Sequence, residues 1–150
     1  MTELLQMIED ENIELLEVNM RGRNKGFYIN RTIFIDKKMC SADKRCKLAE
    51  ELGHHFMTVG DITDQTKVEN RKQERIARKW GYDELVPLHK LAEAINYPCQ
   101  SKTELAEYLD VPEEYLLEAV NYYKQKYGPF CYFNDYCIWF EPLRLIKRLE

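Results

Sequence analysis

Glu50, Glu51 and His54 stand in one run, Leu48-Ala49-Glu50-Glu51-Leu52-Gly53-His54-His55-Phe56, and their spacing could do metal chemistry. Glu50 and His54 are four apart, so on a helix the carboxylate and the imidazole stack one turn from each other. Two such groups can share a divalent ion. The free carboxylate of Glu51, a little to one side, can take a proton from water that the ion activates. A polar, solvated helix face would carry the same residues, and Lys47 lies on that side too.

The element that must position these groups reads as a helix. Ser41 is placed to be its N-cap, Asp43 sits in the first turn, and no proline interrupts the segment. Leu48, Leu52 and Phe56 recur every four residues and form an apolar stripe on the other side. The layout is one residue away from the His-Glu-x-x-His helix of zinc peptidases, because Glu50 stands where the first histidine belongs. A second helix is expected over residues 68–85, and Glu74 lies on it one turn before the small residues Ala77 and Gly81. Small residues there let another helix approach closely, which would bring the Glu74 carboxylate toward His54. Taken alone, Glu74 is one charge among many on a charged helix.

Ahead of these helices the chain opens with a short amphipathic helix over about residues 2–10, with Leu4, Leu5 and Ile8 on one side. Residues 12–18 read as a strand or a second short helix, and their apolar residues do not decide between them. Gly26-Phe27-Tyr28-Ile29 starts a strand, Asn30-Arg31 is a tight connection, and Thr32-Ile33-Phe34-Ile35-Asp36 is the clearest strand by β-branched and aromatic content. This antiparallel pair feeds straight into the Glu50–His54 helix. In a metallopeptidase, an edge strand beside the metal can pair with an extended substrate backbone; a small sheet that only covers the helix fits the same sequence. After the helix, Gly60 suits a helix stop and residues 64–66 are polar and loop-like.

Composition narrows the classes. The 150 residues suffice for a real core, and 45% hydrophobic with 32% charged residues is ordinary for a soluble globular protein. A formal net charge of -4 argues against a general nucleic-acid binder. No apolar run reaches membrane-spanning length, and an N-terminus carrying Glu3, Glu9, Asp10 and Glu11 is no signal peptide, so a cytoplasmic protein is expected. The five cysteines (Cys40, Cys46, Cys99, Cys131 and Cys137) are odd in number and lack CxxC spacing, suggesting neither a disulfide framework nor a thiolate zinc site. A two-residue turn at Asn134-Asp135 would pair Tyr132 with Cys137 and Cys131 with Ile138, pointing the two thiols to opposite faces.

Beyond Pro87, residues 88–95 form a short helix ending at a break at Tyr97-Pro98, and His89 belongs on the surface. Residues 102–120 are similar to a helix-turn-helix, with Leu105, Ala106, Leu109, Val111, Leu116 and Val120 where that motif packs; residues 130–140 then form a hairpin. The second of these helices begins with Glu113 and Glu114, carries Glu118 and has no basic residue until Lys124, so it would repel phosphates. A helical pair that supports the core or docks a protein fits better, and the tyrosines at 115, 122, 123, 127, 132 and 136 suit either an interface or a core.

Residues 33–87 resemble the ImmA/IrrE family of metallopeptidase-like proteins of bacterial phages and integrative elements. The resemblance rests on Ala49-Glu50-Glu51-Leu52-Gly53-His54, then Glu74-Arg75-Ile76-Ala77, then Leu85-Val86-Pro87, in that order and spacing. It implies an α+β fold with a zincin-like metallopeptidase core over residues 1–97 and a helix-turn-helix-like appendage with a terminal hairpin over residues 98–150, which can pack as one domain. It implies His54 and Glu74 as metal ligands, Glu51 as general base, and zinc as the cofactor. Glu50 departs from the family's histidine; a glutamate can still ligate zinc or another divalent ion. His55 then packs beside the site or ligates from a rotated geometry. The implied function is an endopeptidase that cleaves a helix-turn-helix repressor protein, an anti-repressor activity. The alternatives are a pseudo-peptidase that binds the repressor without cutting it, and a DNA-binding regulator.

Overall fold

The computed structural model describes residues 1–57, 68–96 and 101–147. The expected helix stop at Gly60, the loop at 64–66, the break at Tyr97-Pro98 and Cys99 lie outside the described residues. The architecture is α+β, with six helices and two three-stranded sheets among the described residues. The chain divides into two compact units, Met1–Gly81 and Tyr82–Glu150. No helix among the described residues is long and apolar enough to cross a membrane.

The first unit opens with α1 (Thr2–Asp10), whose Leu4 and Ile8 are buried, as the apolar spacing requires. Asn12 takes a left-handed conformation (φ 55°) that ends the helix and turns the chain into β1 (Glu14–Val18). The open choice over residues 12–18 thus resolves to a strand. β2 (Gly26–Ile29) and β3 (Thr32–Asp36) form the expected antiparallel pair, with Tyr28 opposite Ile33 and Phe27 opposite Phe34. Their connection is short because Asn30 and Arg31 both sit at positive φ, 49° and 57°, the twist that a two-residue hairpin turn needs. β1 pairs with β3 in parallel, giving the strand order β1-β3-β2 and leaving β2 at an edge.

The alternation along β3 sends Ile33 and Ile35 into the core, while Phe34 stacks on Phe27 on the other face. α2 (Ser41–Met57) packs across β2 and β3. It buries Leu48, Ala49 and Leu52. Each large aliphatic side chain taken fully out of water there contributes about 1.5–3 kcal/mol. Two details differ from the expected helix. It starts at Ser41 itself, with the Cys40 carbonyl accepting from the Lys44 amide, so Ser41 is not its cap. Phe56 leaves the stripe, because a spacing of four drifts around a 3.6-residue turn, and it lies exposed and stacked on Trp80. α3 (Val68–Leu85) is the second long helix.

The second unit holds α4 (Leu88–Asn96), α5 (Lys102–Leu109), α6 (Glu113–Tyr127) and the strands β4 (Phe130–Phe133), β5 (Tyr136–Phe140) and β6 (Leu143–Lys147). The Ser101 hydroxyl accepts from the Glu104 amide at 3.1 Å and caps α5. Asp110 in the left-handed region (φ 56°) stops that helix, and α6 restarts after Pro112, giving the expected helix-turn-helix. Leu105, Ala106, Leu109, Val111 and Leu116 are buried as that motif requires, and His89 is exposed. Tyr123 is core: its hydroxyl donates to the Val86 carbonyl at 2.8 Å. Tyr132 remains on the surface at 62% exposure, so not all of the tyrosines are core. The hairpin has the expected register, Tyr132 opposite Cys137 and Cys131 opposite Ile138, and neither thiol is bridged. β6, a third strand pairing with β5, goes beyond that expectation; Pro142 broke the visible pattern, although Leu143 and Leu145 keep a period of two.

Candidate metal centre

The centre is built where α2 meets α3. Gly53 is the point of closest approach: a Cβ there would lie 2.4 Å from the Ala77 carbonyl oxygen, and Ala77 itself is fully buried. With no side chain between them, the backbones come together, and the side chains one turn away on each helix meet. Ala77 plays the part its size suggested, but its partner is a glycine within the motif.

Glu50, His54 and Glu74 converge, each offering an atom within 4.8 Å of the others. His54 is buried and its Nε2 lies 2.7 and 3.0 Å from the two carboxylate oxygens of Glu74. Because that carboxylate can only accept, Nε2 carries the proton. Burial raises the Glu74 carboxyl, but the hydrogen bond and charge of His54, the charge of Lys47 and a hydrogen bond with Glu50 together hold it below the usual range. Glu51 is 3% exposed, and burial pushes its carboxyl up to about 7; Lys47 and His54 pull against the rise, while Glu50 and Glu74 add to it. That value suits a group that must take and return a proton near neutral pH.

The donor set fits a divalent ion. Bonds of about 2 Å place tetrahedral donors roughly 3.3 Å apart, so small side-chain adjustments close the present spacing. One imidazole nitrogen and two carboxylates are ordinary ligands for zinc and for harder divalent ions. The His54 proton now shared with Glu74 sits where such an ion would replace it, and the Glu50 carboxylate stands within 4.8 Å of both.

His55 faces elsewhere. Its Nδ1 lies 2.6 Å from the Tyr28 hydroxyl and its Nε2 3.4 Å from Glu11, linking α2 to β2 and to the end of α1. Two basic residues flank the centre: Lys47, which the helix spacing had put on a solvated face, and the more exposed Arg78. Lys47 Nζ lies 3.4 Å from Glu50 and 3.7 Å from Glu51, and Arg78 reaches Glu50 at 4.0 Å. The signal for Lys47 was its spacing: three and four residues before Glu50 and Glu51, it pairs with both on a helix.

No curated protein and no solved structure matches the chain significantly. Residues 8–121 match the family described as Peptidase_M78, IrrE N-terminal-like domain, a match that takes in the sheet, both long helices and the helix-turn-helix. With a metallopeptidase family's match lying over a Glu50, His54 and Glu74 group that could hold a metal ion, the chain belongs to the IrrE N-terminal-like family of peptidases.

Proposed function

We propose that this protein is a cytoplasmic metal-dependent endopeptidase with a zincin-like core, and that its substrate is a helix-turn-helix repressor of a phage or mobile element. The observation that carries the reading is the convergence of His54, Glu74 and Glu50 around one point, one residue along α2 from the buried carboxyl of Glu51. His54, Glu74 and Glu50 hold the ion, zinc in the first instance. When bound, the ion supplies Lewis-acid polarisation of the scissile carbonyl and acidifies water. Glu51 takes the proton from the attacking water and returns it to the leaving amine. β2, the edge strand packed against α2, is the surface on which an extended substrate would pair.

Incubation with purified helix-turn-helix repressors and zinc, followed by mass spectrometry of any fragments, tests the reading. Glu51→Gln should keep the fold and the metal and lose cleavage, since an amide cannot accept the proton. Unchanged cleavage by that variant refutes Glu51 as the base.

A second reading has its own support. Glu50 stands in the place of a histidine and is flanked by Lys47 and Arg78, which already balance its charge. A pseudo-peptidase that binds the repressor without cutting it would carry such a site. DNA binding through α6 gains little: Glu113 and Glu114 are exposed at its start, Lys124 is paired with Glu141, and Lys126 lies over the Tyr127 ring.

A further inference from the structure

Lys47 is held against the sheet by an absence. A Cβ on Gly26 would lie 2.9 Å from Lys47 Cγ and 3.1 Å from its Cε, so the bare backbone of β2 forms the channel along which the lysine stem runs. The stem delivers the ammonium to Glu50 Oε1 at 3.4 Å and Glu51 Oε1 at 3.7 Å, with the side chain only 19% exposed. The Glu74 carboxyl feels its charge as well. One tethered cation therefore serves three carboxyls, two of which also belong to the candidate ligand set.

We propose that Lys47 is a built-in counter-ion that competes with the divalent ion for Glu50, so that this chain's own lysine sets how tightly the site takes metal. The inference rests on the reading of Glu50, His54 and Glu74 as the ligands. An ammonium within hydrogen-bond reach of a ligating carboxylate repels an incoming dication and occupies one of the lone pairs the ion needs. Metal binding must therefore move the ammonium off Glu50, and the work of moving it is subtracted from affinity. Without the ion, the same ammonium keeps two glutamates tolerable side by side in a buried place. Arg78 is a weaker contributor, being longer in reach at 4.0 Å and more exposed.

The test is calorimetric titration of zinc into the metal-free full chain, for wild type, Lys47→Met, Lys47→Gln, Lys47→Arg and His54→Ala, with thermal melting of each in chelator and in zinc. Both neutral variants at position 47 should bind zinc about tenfold or more tightly than wild type, given the charge they remove at this distance. They should melt lower in chelator and gain more from zinc than wild type does. Lys47→Arg, which keeps the charge, should leave affinity near the wild-type value. His54→Ala should abolish binding. Equal binding by wild type and the neutral variants, lost in His54→Ala, overturns the role of Lys47 and leaves the metal site standing. Weaker binding by both neutral variants likewise overturns it. Folded protein that takes no zinc whichever residue stands at position 47 overturns the metal site and this inference together.

Discussion

Replacing Glu51 by glutamine should make the metal-free protein more stable at neutral and alkaline pH, although it removes the proposed catalytic base. Burial lifts the Glu51 carboxyl from 4.5 to about 7 in the folded chain. The folded state thus holds this proton more tightly than the unfolded state. Stability from this group is greatest below pH 4.5, where both states are protonated. It falls as pH rises from 4.5 to about 7, and above that the loss is constant. Converting that interval at 1.36 kcal/mol per pH unit gives a loss of about 3 kcal/mol at pH 8. At 3% exposure the side chain has little solvent to soften the effect, and the opposing charge of Lys47 is already included in the net rise. Glutamine has the same shape and cannot ionise. Glu51→Gln should therefore gain about 3 kcal/mol at pH 8, roughly 6–12 °C in Tm for a chain of this size, and nothing at pH 4. The assay is urea or thermal unfolding of both proteins in chelator across pH 4–8. A variant equal to or less stable than wild type at pH 8 would refute the reasoning, because Glu51 would not then be ionising in a desolvated place.

Gly53→Ala should cost about 1–2 kcal/mol, the overpacking against the Ala77 carbonyl exceeding the helix-propensity gain, and should weaken zinc binding at least about tenfold by parting α2 from α3. Unfolding and zinc titration check it, and undiminished binding would show that the close approach does not build the site. Glu50→His should raise zinc affinity and neutral-pH cleavage together. Three protein ligands comprising one histidine and two glutamates leave zinc formally neutral, whereas two histidines and one glutamate leave a positive charge that acidifies water better. Wild-type cleavage should accordingly rise toward alkaline pH, which a pH–rate profile of both proteins reads; profiles and affinities that coincide would remove Glu50 from the ligand set.

What could be read in the sequence was local and periodic. The α2 and α3 helices, the β2–β3 pair with its Asn30-Arg31 turn, and the Cys131–Cys137 register followed from spacing and turn chemistry between near neighbours. β1 was undecided because its partner β3 joins it in parallel, across a connection that holds all of β2, and no short-range signal marks such pairing. β6 was hidden behind Pro142. In the candidate centre, the grouping of Glu50, Glu51 and His54 follows from helix geometry; Glu74 was singled out by the family resemblance, the small residues after it only allowing its helix to come near. Gly53 and Gly26 were not legible in their roles, and of Lys47 only the spacing to Glu50 and Glu51 could be read, not its burial against the sheet. A glycine's contribution is the neighbour it admits, and here the neighbours are Ala77 on another helix and Lys47 from another element. Lys47 looked solvated because sequence spacing gives the face of a helix but not the strand that covers it.

The central claim is that Glu50, His54 and Glu74 hold one divalent ion. Anomalous diffraction from crystals equilibrated in saturating zinc tests it most directly. The account predicts one peak per chain, about 2 Å from His54 Nε2 and from oxygens of Glu50 and Glu74, absent in crystals of His54→Ala. A well-ordered centre with no peak, or a peak that survives His54→Ala unchanged, would contradict it.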